Sequence, residues 1–94
     1  MLKLEVVYRC KPGMREEFLK ELGVLGARET SINEKGNHKY DYYLDVQDPD
    51  LLLLLELWDD QECLDAHSST EAFFKIGALK DKYCESMTLD RFEI

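Results

Sequence analysis

Residues Leu51 to Trp58 read Leu-Leu-Leu-Leu-Leu-Glu-Leu-Trp, and this octet restricts the fold of a 94-residue chain more than any other segment. Successive side chains of a strand point to opposite faces. Leu51, Leu53, Leu55 and Leu57 therefore share one face, and Leu52, Leu54, Glu56 and Trp58 share the other. A strand apolar on both faces needs cover on both. A chain this short has too few helices to cover a sheet twice, so a second subunit is the expected cover. Glu56 and Trp58 also stand together on one face, which marks the end of this strand as a candidate site.

The length predicts a single domain, residues 1–94, with a core just large enough to fold. A net charge of −8 and a pI near 4.7 argue against nucleic acid or an anionic membrane as a partner. The longest apolar run, five leucines, is far short of a membrane span. The opening Met1-Leu2-Lys3-Leu4-Glu5 carries a carboxylate where a secretory signal needs an apolar core. Cys10, Cys63 and Cys84 are odd in number and form no Cys-x-x-Cys pair, which fits a reducing cytoplasm, no structural zinc, and thiols acting as small buried hydrophobes.

Leu2, Leu4, Val6, Tyr8 and Cys10 share one face, with Lys3, Glu5 and Arg9 opposite, and predict a first strand, broken at Lys11-Pro12-Gly13. Met14, Phe18, Leu22 and Leu25 then recur at helical spacing and predict a helix from Met14 to about Arg28. Ser31 to Gly36 reads as a polar connection. Asn37 to Val46 predicts a strand with Tyr40, Tyr42, Leu44 and Val46 on one face. The turn Asp48-Pro49-Asp50 joins it to the leucine strand as a hairpin. Asp59 or Asp60, with Glu62 as a capping-box partner, predicts a short helix ending at His67. Ser68 is the expected cap of a second helix, whose stripe is Ala72, Phe73, Ile76, Leu79 and Tyr83. Glu85 to Ile94 reads as a last strand. The order β-α-β-β-α-β predicts an α+β, ferredoxin-like fold: a four-stranded antiparallel sheet with helices on one side and the other face bare.

The residues Glu34-Lys35-Gly36-Asn37, Tyr40, Asp48-Pro49, Glu56-x-Trp58, Ala66-His67 and Phe73, taken in order and spacing, resemble the antibiotic biosynthesis monooxygenase (ABM) domain family. Lys11-Pro12-Gly13 and Glu16-Glu17-Phe18 match its usual opening. The resemblance implies a dimeric α+β barrel in which two ferredoxin-like sheets pack face to face, agreeing with the leucine argument. It also implies one of several chemistries: cofactor-independent monooxygenation of phenols and quinols, haem degradation, or isomerisation of a phosphorylated sugar-like compound. The haem-degrading branch carries a ligating histidine one helical turn past the Phe; here that stretch is Lys75-Ile76-Gly77-Ala78. The isomerase branch has a second histidine where this chain has Ala72.

Five residues are the candidate site. Trp58 can stack on an aromatic substrate and donate its N–H, or simply cap the sheet's end. Glu56 can act as a general base with a raised pKa, or pair with Arg28, Arg9 or a backbone N–H at a dimer seam. His67 can shuttle protons from the end of its helix, or bond nearby carbonyls there. Tyr40 is the expected phenolic donor, and Asn37 either binds a substrate oxygen or shapes a turn. His38 is expected to be exposed. No phosphate loop, dinucleotide fingerprint or metal-ligand cluster is present in the sequence, so no cofactor and no metal are expected.

Three readings remain. The first is a cofactor-independent monooxygenase of quinol-like aromatics. The second is an isomerase or related lyase of a small carbonyl compound, with Glu56 and His67 transferring protons; a phosphorylated substrate additionally requires Arg9, Arg15, Arg28 or Lys39 to line the site. The third is a non-catalytic dimeric module for ligand binding or stress response. All share a cytoplasmic homodimer formed through the open sheet face.

Overall fold

Alternating apolar residues carry Leu2–Cys10 into strand β1, and the leucine octet forms strand β3, Leu51–Trp58, beside it. In the computed structural model, which describes residues 1–94, these two are the central strands of one antiparallel sheet. The hairpin strand β2 (Asn37–Leu44) flanks β3, and β4 (Cys84–Glu93) flanks β1, giving the order β2-β3-β1-β4. Helices α1 (Arg15–Leu25), α2 (Ala27–Ile32), α3 (Gln61–His67) and α4 (Glu71–Tyr83) complete the ferredoxin-like α+β fold.

The two faces of β3 separate as the octet requires. Leu52, Leu54, Glu56 and Trp58 are buried, and Leu51, Leu53, Leu55 and Leu57 are half-buried. The covered face joins Leu2, Leu4, Val6 and Tyr8 of β1 to Phe18 and Leu22 of α1 and to Ile76 and Tyr83 of α4. Each fully buried leucine contributes about 1.5–3 kcal/mol relative to exposure, so this face accounts for most of the fold's stabilisation. On the other face no helix packs. There Tyr43, Leu53 and Val7 lie in one cross-strand row, and Leu57, Lys3 and Phe92 in another.

Several local expectations are corrected. The helix predicted from Met14 to Arg28 is two helices, because Gly26 adopts a left-handed conformation (φ 74°) and its N–H bonds back to the preceding turn. The polar connection from Ser31 starts late, since α2 continues through Ile32. Strand β2 stops at Leu44 rather than Val46. The Asp45 carboxylate accepts from the backbone N–H groups of Gln47 and Asp48, both at 2.8 Å, and turns the chain out of the sheet. Asp60 caps α3 through the Cys63 N–H at 3.0 Å, which leaves Glu62 one position short of a capping box. Thr70, not Ser68, caps α4 through the Phe73 N–H at 3.1 Å; the Ser68 hydroxyl instead donates to the Leu64 carbonyl.

The hairpin turn is tied to α1 by one side chain. Arg15 Nη1 donates to the carbonyls of Asp45, Asp48 and Leu51 at 3.0, 3.1 and 3.2 Å. Cys10 and Cys84 are buried side by side at the end of β1 and β4, and burial pushes the Cys84 thiol up to about 12. Both act as small apolar fillers, as the sequence suggests, whereas Cys63 is half-buried.

Candidate functional site

Strand register assembles the site. On the helix-facing side, Tyr40 of β2 stands beside Glu56 of β3, then Leu4 of β1, then Arg91 of β4. Helix α3 delivers His67 from its last turn over this row. Between the sheet, α3 and α4 lies a mostly apolar cavity of about 390 Å³, with Tyr8, Tyr40, Glu56, His67 and Phe73 among its walls. That volume lies within the range of small-molecule sites, which pair apolar walls with a few placed polar groups.

Those polar groups are held from behind. Trp58 donates its indole N–H to Glu56 Oε1 at 3.0 Å. Burial raises the Glu56 carboxyl above its ordinary value, opposed chiefly by the Trp58 hydrogen bond. His67 is almost wholly buried, and its ring is enclosed by Trp58 (4.8 Å between centroids), Phe73 (5.4 Å) and Tyr40 (5.7 Å). Its Nδ1 is hydrogen-bonded to the Glu34 carboxylate, leaving Nε2 with no partner in the chain. A carboxylate at Nδ1 selects the tautomer in which Nε2 accepts a proton, and then steadies the imidazolium that results. Burial also pushes the Tyr40 and Tyr8 phenols far up, so both remain proton donors.

Glu34 reaches His67 because of a tight passage in the chain. Gly36 takes φ 80°, and a Cβ there would lie 2.9 Å from Cys63 Cβ, closer still to its sulfur, and 3.3 Å from Asp59 Oδ2. The Gly36 carbonyl accepts from the Asp59 N–H at 2.8 Å. Only glycine fits this seat, which fastens the Glu34 loop onto the start of α3.

Residues 1–78 match the model of the antibiotic biosynthesis monooxygenase family. The chain belongs to that family. It is similar to YcnE of Bacillus subtilis (strain 168), with 34% identity over 90 residues, 96% of this chain and 92% of that protein. Among solved structures, PA3566 from Pseudomonas aeruginosa has a TM-score of 0.87 and 28% identity, covering 99% of this chain and 92% of that one. A Nitrosomonas europaea protein, at 23% identity and TM-score 0.89, covers 100% of this chain and 98% of its own and shares the fold.

Of the five residues singled out in this family member's sequence, Glu56, His67 and Tyr40 meet at the cavity. Trp58 and Asn37 are not on its walls. Trp58 is fully buried behind Glu56 and His67, so a direct stack on a cavity ligand is replaced by contact with those two side chains. Asn37 sits opposite Trp58 at a β-bulge, its Nδ2 donating to the Lys39 carbonyl at 3.1 Å. His38, the extra residue of that bulge, is exposed and pairs with Asp59 at 2.5 Å. The dimer-seam partners foreseen for Glu56 lie elsewhere: Arg28 pairs with Asp41 and Arg9 with Asp48.

None of Arg9, Arg15, Arg28 and Lys39 lines the cavity, so the stated requirement for a phosphorylated carbonyl substrate is not met by them. Three functional candidates were not read from the sequence as site residues. Glu34 had a signal, since it opens the Glu-x-Gly-Asn pattern. Lys80 and Arg91 had none, because only the packing of α4 and β4 brings them to the cavity.

Proposed function

We propose that this chain is a cofactor-independent monooxygenase of quinol-like aromatic compounds. The observation that carries the reading is the pairing of an apolar, aromatic-walled cavity with a histidine whose Nδ1 is anchored by Glu34 and whose Nε2 is free. A flat phenolic ring suits these walls better than a small hydrophilic sugar-like compound does. Similarity to YcnE, described as a candidate monooxygenase, and membership of the monooxygenase family support the same chemistry.

In this reading His67 Nε2 takes the phenolic proton, and Tyr40 donates a hydrogen bond to the substrate's second oxygen. The electron-rich anion then passes an electron to O₂ within a site from which water is largely excluded. One oxygen atom forms a new bond to ring carbon and the other leaves as water. The quinol itself supplies the electrons and becomes a hydroxyquinone, so atoms and electrons balance without a further reductant. Glu56, held by Trp58, provides a second proton acceptor at the inner wall.

The bare sheet face is the proposed homodimer interface, with the leucines Leu51, Leu53, Leu55 and Leu57 meeting their symmetry mates across a two-fold axis. Covering them removes the remaining half-exposed apolar surface of β3 from water.

Oxygen consumption with a naphthohydroquinone, above the protein-free rate, tests the chemistry. His67→Ala is expected to lose at least about 100-fold in kcat, and Glu34→Gln to lose less. Wild-type protein that binds the quinol without consuming oxygen would instead make it the non-catalytic binding module.

A further inference from the structure

The cavity is longer than one aromatic ring, and its long axis follows the strands. One end is the sheet row that holds Tyr40, Glu56 and Leu4. His67 and Phe73, with ring centroids 5.4 Å apart, roof this end. The other end is Tyr8, beside its ladder partner Met87 and beneath Lys80. Lys80 belongs there because Cys84, next along the chain after α4, pairs with Cys10 just past Tyr8. From Leu4 to Tyr8 the strand advances about 13 Å at roughly 3.3 Å per residue. From Phe73 to Lys80 the helix advances about 10 Å at roughly 1.5 Å per residue. Between the ends the floor is the apolar row Leu54, Val6 and Leu89. On the helix side the wall there includes Gly77, one turn after Phe73 and one turn before Lys80.

Nothing in the fold itself requires a glycine at position 77. It lies in the interior of α4 and is not among the glycines with positive φ, and glycine is the poorest helix former after proline. Close packing does not demand it either. A Cβ at Gly77 would meet nothing from the rest of the molecule within 4 Å, whereas one at Gly36 would strike Cys63. A side chain at position 77 would extend into the cavity instead.

We infer that Gly77 is the specificity-determining residue for ligand length. Its missing side chain joins the two ends of the cavity into one slot, which takes a two-ring aromatic compound lying along the strands. The inference rests on the aromatic-substrate reading above and adds a size class and the residue that sets it. The hydroxyl-bearing ring lies at His67 and Tyr40, and the second ring lies beneath Gly77 on Val6, pointing toward Tyr8. Leucine at position 77 would fill the middle of the slot and separate its ends. The His67 end would still accept a single ring.

The test compares phenol with 4-phenylphenol, both titrated into the intact ¹⁵N-labelled protein and followed by amide chemical shifts. Wild-type protein is expected to bind 4-phenylphenol at least about tenfold more tightly than phenol, because the second ring is buried as well. Phenol should shift amides near His67 only, and 4-phenylphenol those near Tyr8 too. In Gly77→Leu the affinity for 4-phenylphenol should fall at least about tenfold, and that for phenol should change less than about twofold. Gly77→Ala should show a smaller loss of the same selectivity, which decides the question even where the leucine variant does not fold. Gly77→Ala should also melt at or above the wild-type temperature, since alanine favours the helix and meets no neighbour. A lower melting temperature for Gly77→Ala makes the glycine a packing requirement and overturns the inference. Equal losses for both ligands, or no loss for either, overturn it while leaving the aromatic site standing. Wild-type protein that binds neither ligand overturns the inference together with the aromatic-substrate reading.

Discussion

Trp58 is the side chain whose replacement separates the roles most sharply. Its indole fills the core and donates at 3.0 Å to a buried carboxylate. In Trp58→Phe the lost ring leaves a void of a few tens of Å³, which costs about 1 kcal/mol at roughly 24 cal/mol per Å³. Leaving Glu56 Oε1 without its donor costs about 1–3 kcal/mol more. The sum is about 2–4 kcal/mol, a large share of the stability of a small domain. Urea unfolding at neutral pH followed by circular dichroism measures it, since the variant has no tryptophan to report. Pairing the change with Glu56→Gln closes a double-mutant cycle. Because the neutral amide needs the indole less than the carboxylate does, the double variant should be about 1 kcal/mol or more stabler than additivity predicts. Additivity within experimental error, or a cost for Trp58→Phe below about 1 kcal/mol, refutes the claim that Trp58 acts by holding Glu56.

Glu56 also sets a pH dependence. Burial raises its pKa above 4.5, so the native state holds the proton more tightly than the unfolded chain does. Its contribution to stability is therefore full below that pH and is lost as pH rises through the native value. Urea midpoints measured against pH should show this fall in wild type and its absence in Glu56→Gln. Gly36→Ala forces a Cβ against Cys63 in a left-handed conformation, and should cost about 1–2 kcal/mol and lower oxygen consumption by moving Glu34 from His67. Adding Cys63→Ala removes the sulfur contact but leaves the 2.9 Å Cβ–Cβ contact and the backbone strain, so thermal melts should show partial recovery only. Leu53→Lys places a charge at the centre of the bare face; sedimentation equilibrium should give a dimer for wild type and a monomer for the variant. A monomeric wild type refutes the reading of the leucine face.

Much of the fold was legible because its signals are local and periodic. The alternation in β1, the leucine octet and the hairpin turn each depend on neighbours a few residues away, and together they leave one topology. The division of the first helix was harder to see. Gly26 is one of five glycines, and its left-handed conformation follows from where Ala27 and Ser31 must be buried, not from its neighbours in sequence. Asp45 likewise looks like strand alternation until its carboxylate is seen accepting from the turn that follows.

The site was legible where the polar residue interrupted an apolar pattern. Glu56 stood out among leucines, and His67 stood at a helix end. The direction each residue faces was less accessible. Trp58 shares a strand face with Glu56, but α3 packs His67 over it and closes it off from the cavity. Glu34 lies 33 residues before His67, and their contact depends on the Gly36 seat against α3. Lys80 and Arg91 become neighbours of the cavity only through tertiary packing of α4 and the edge strand.

The central claim is that His67 and its cavity carry out monooxygenation, and labelled oxygen tests it most directly. A naphthohydroquinone turned over under ¹⁸O₂ should yield, by mass spectrometry, a hydroxyquinone carrying one labelled oxygen atom, with the yield of His67→Ala falling to the protein-free level. A product without label, or the same labelled yield from His67→Ala, contradicts the account.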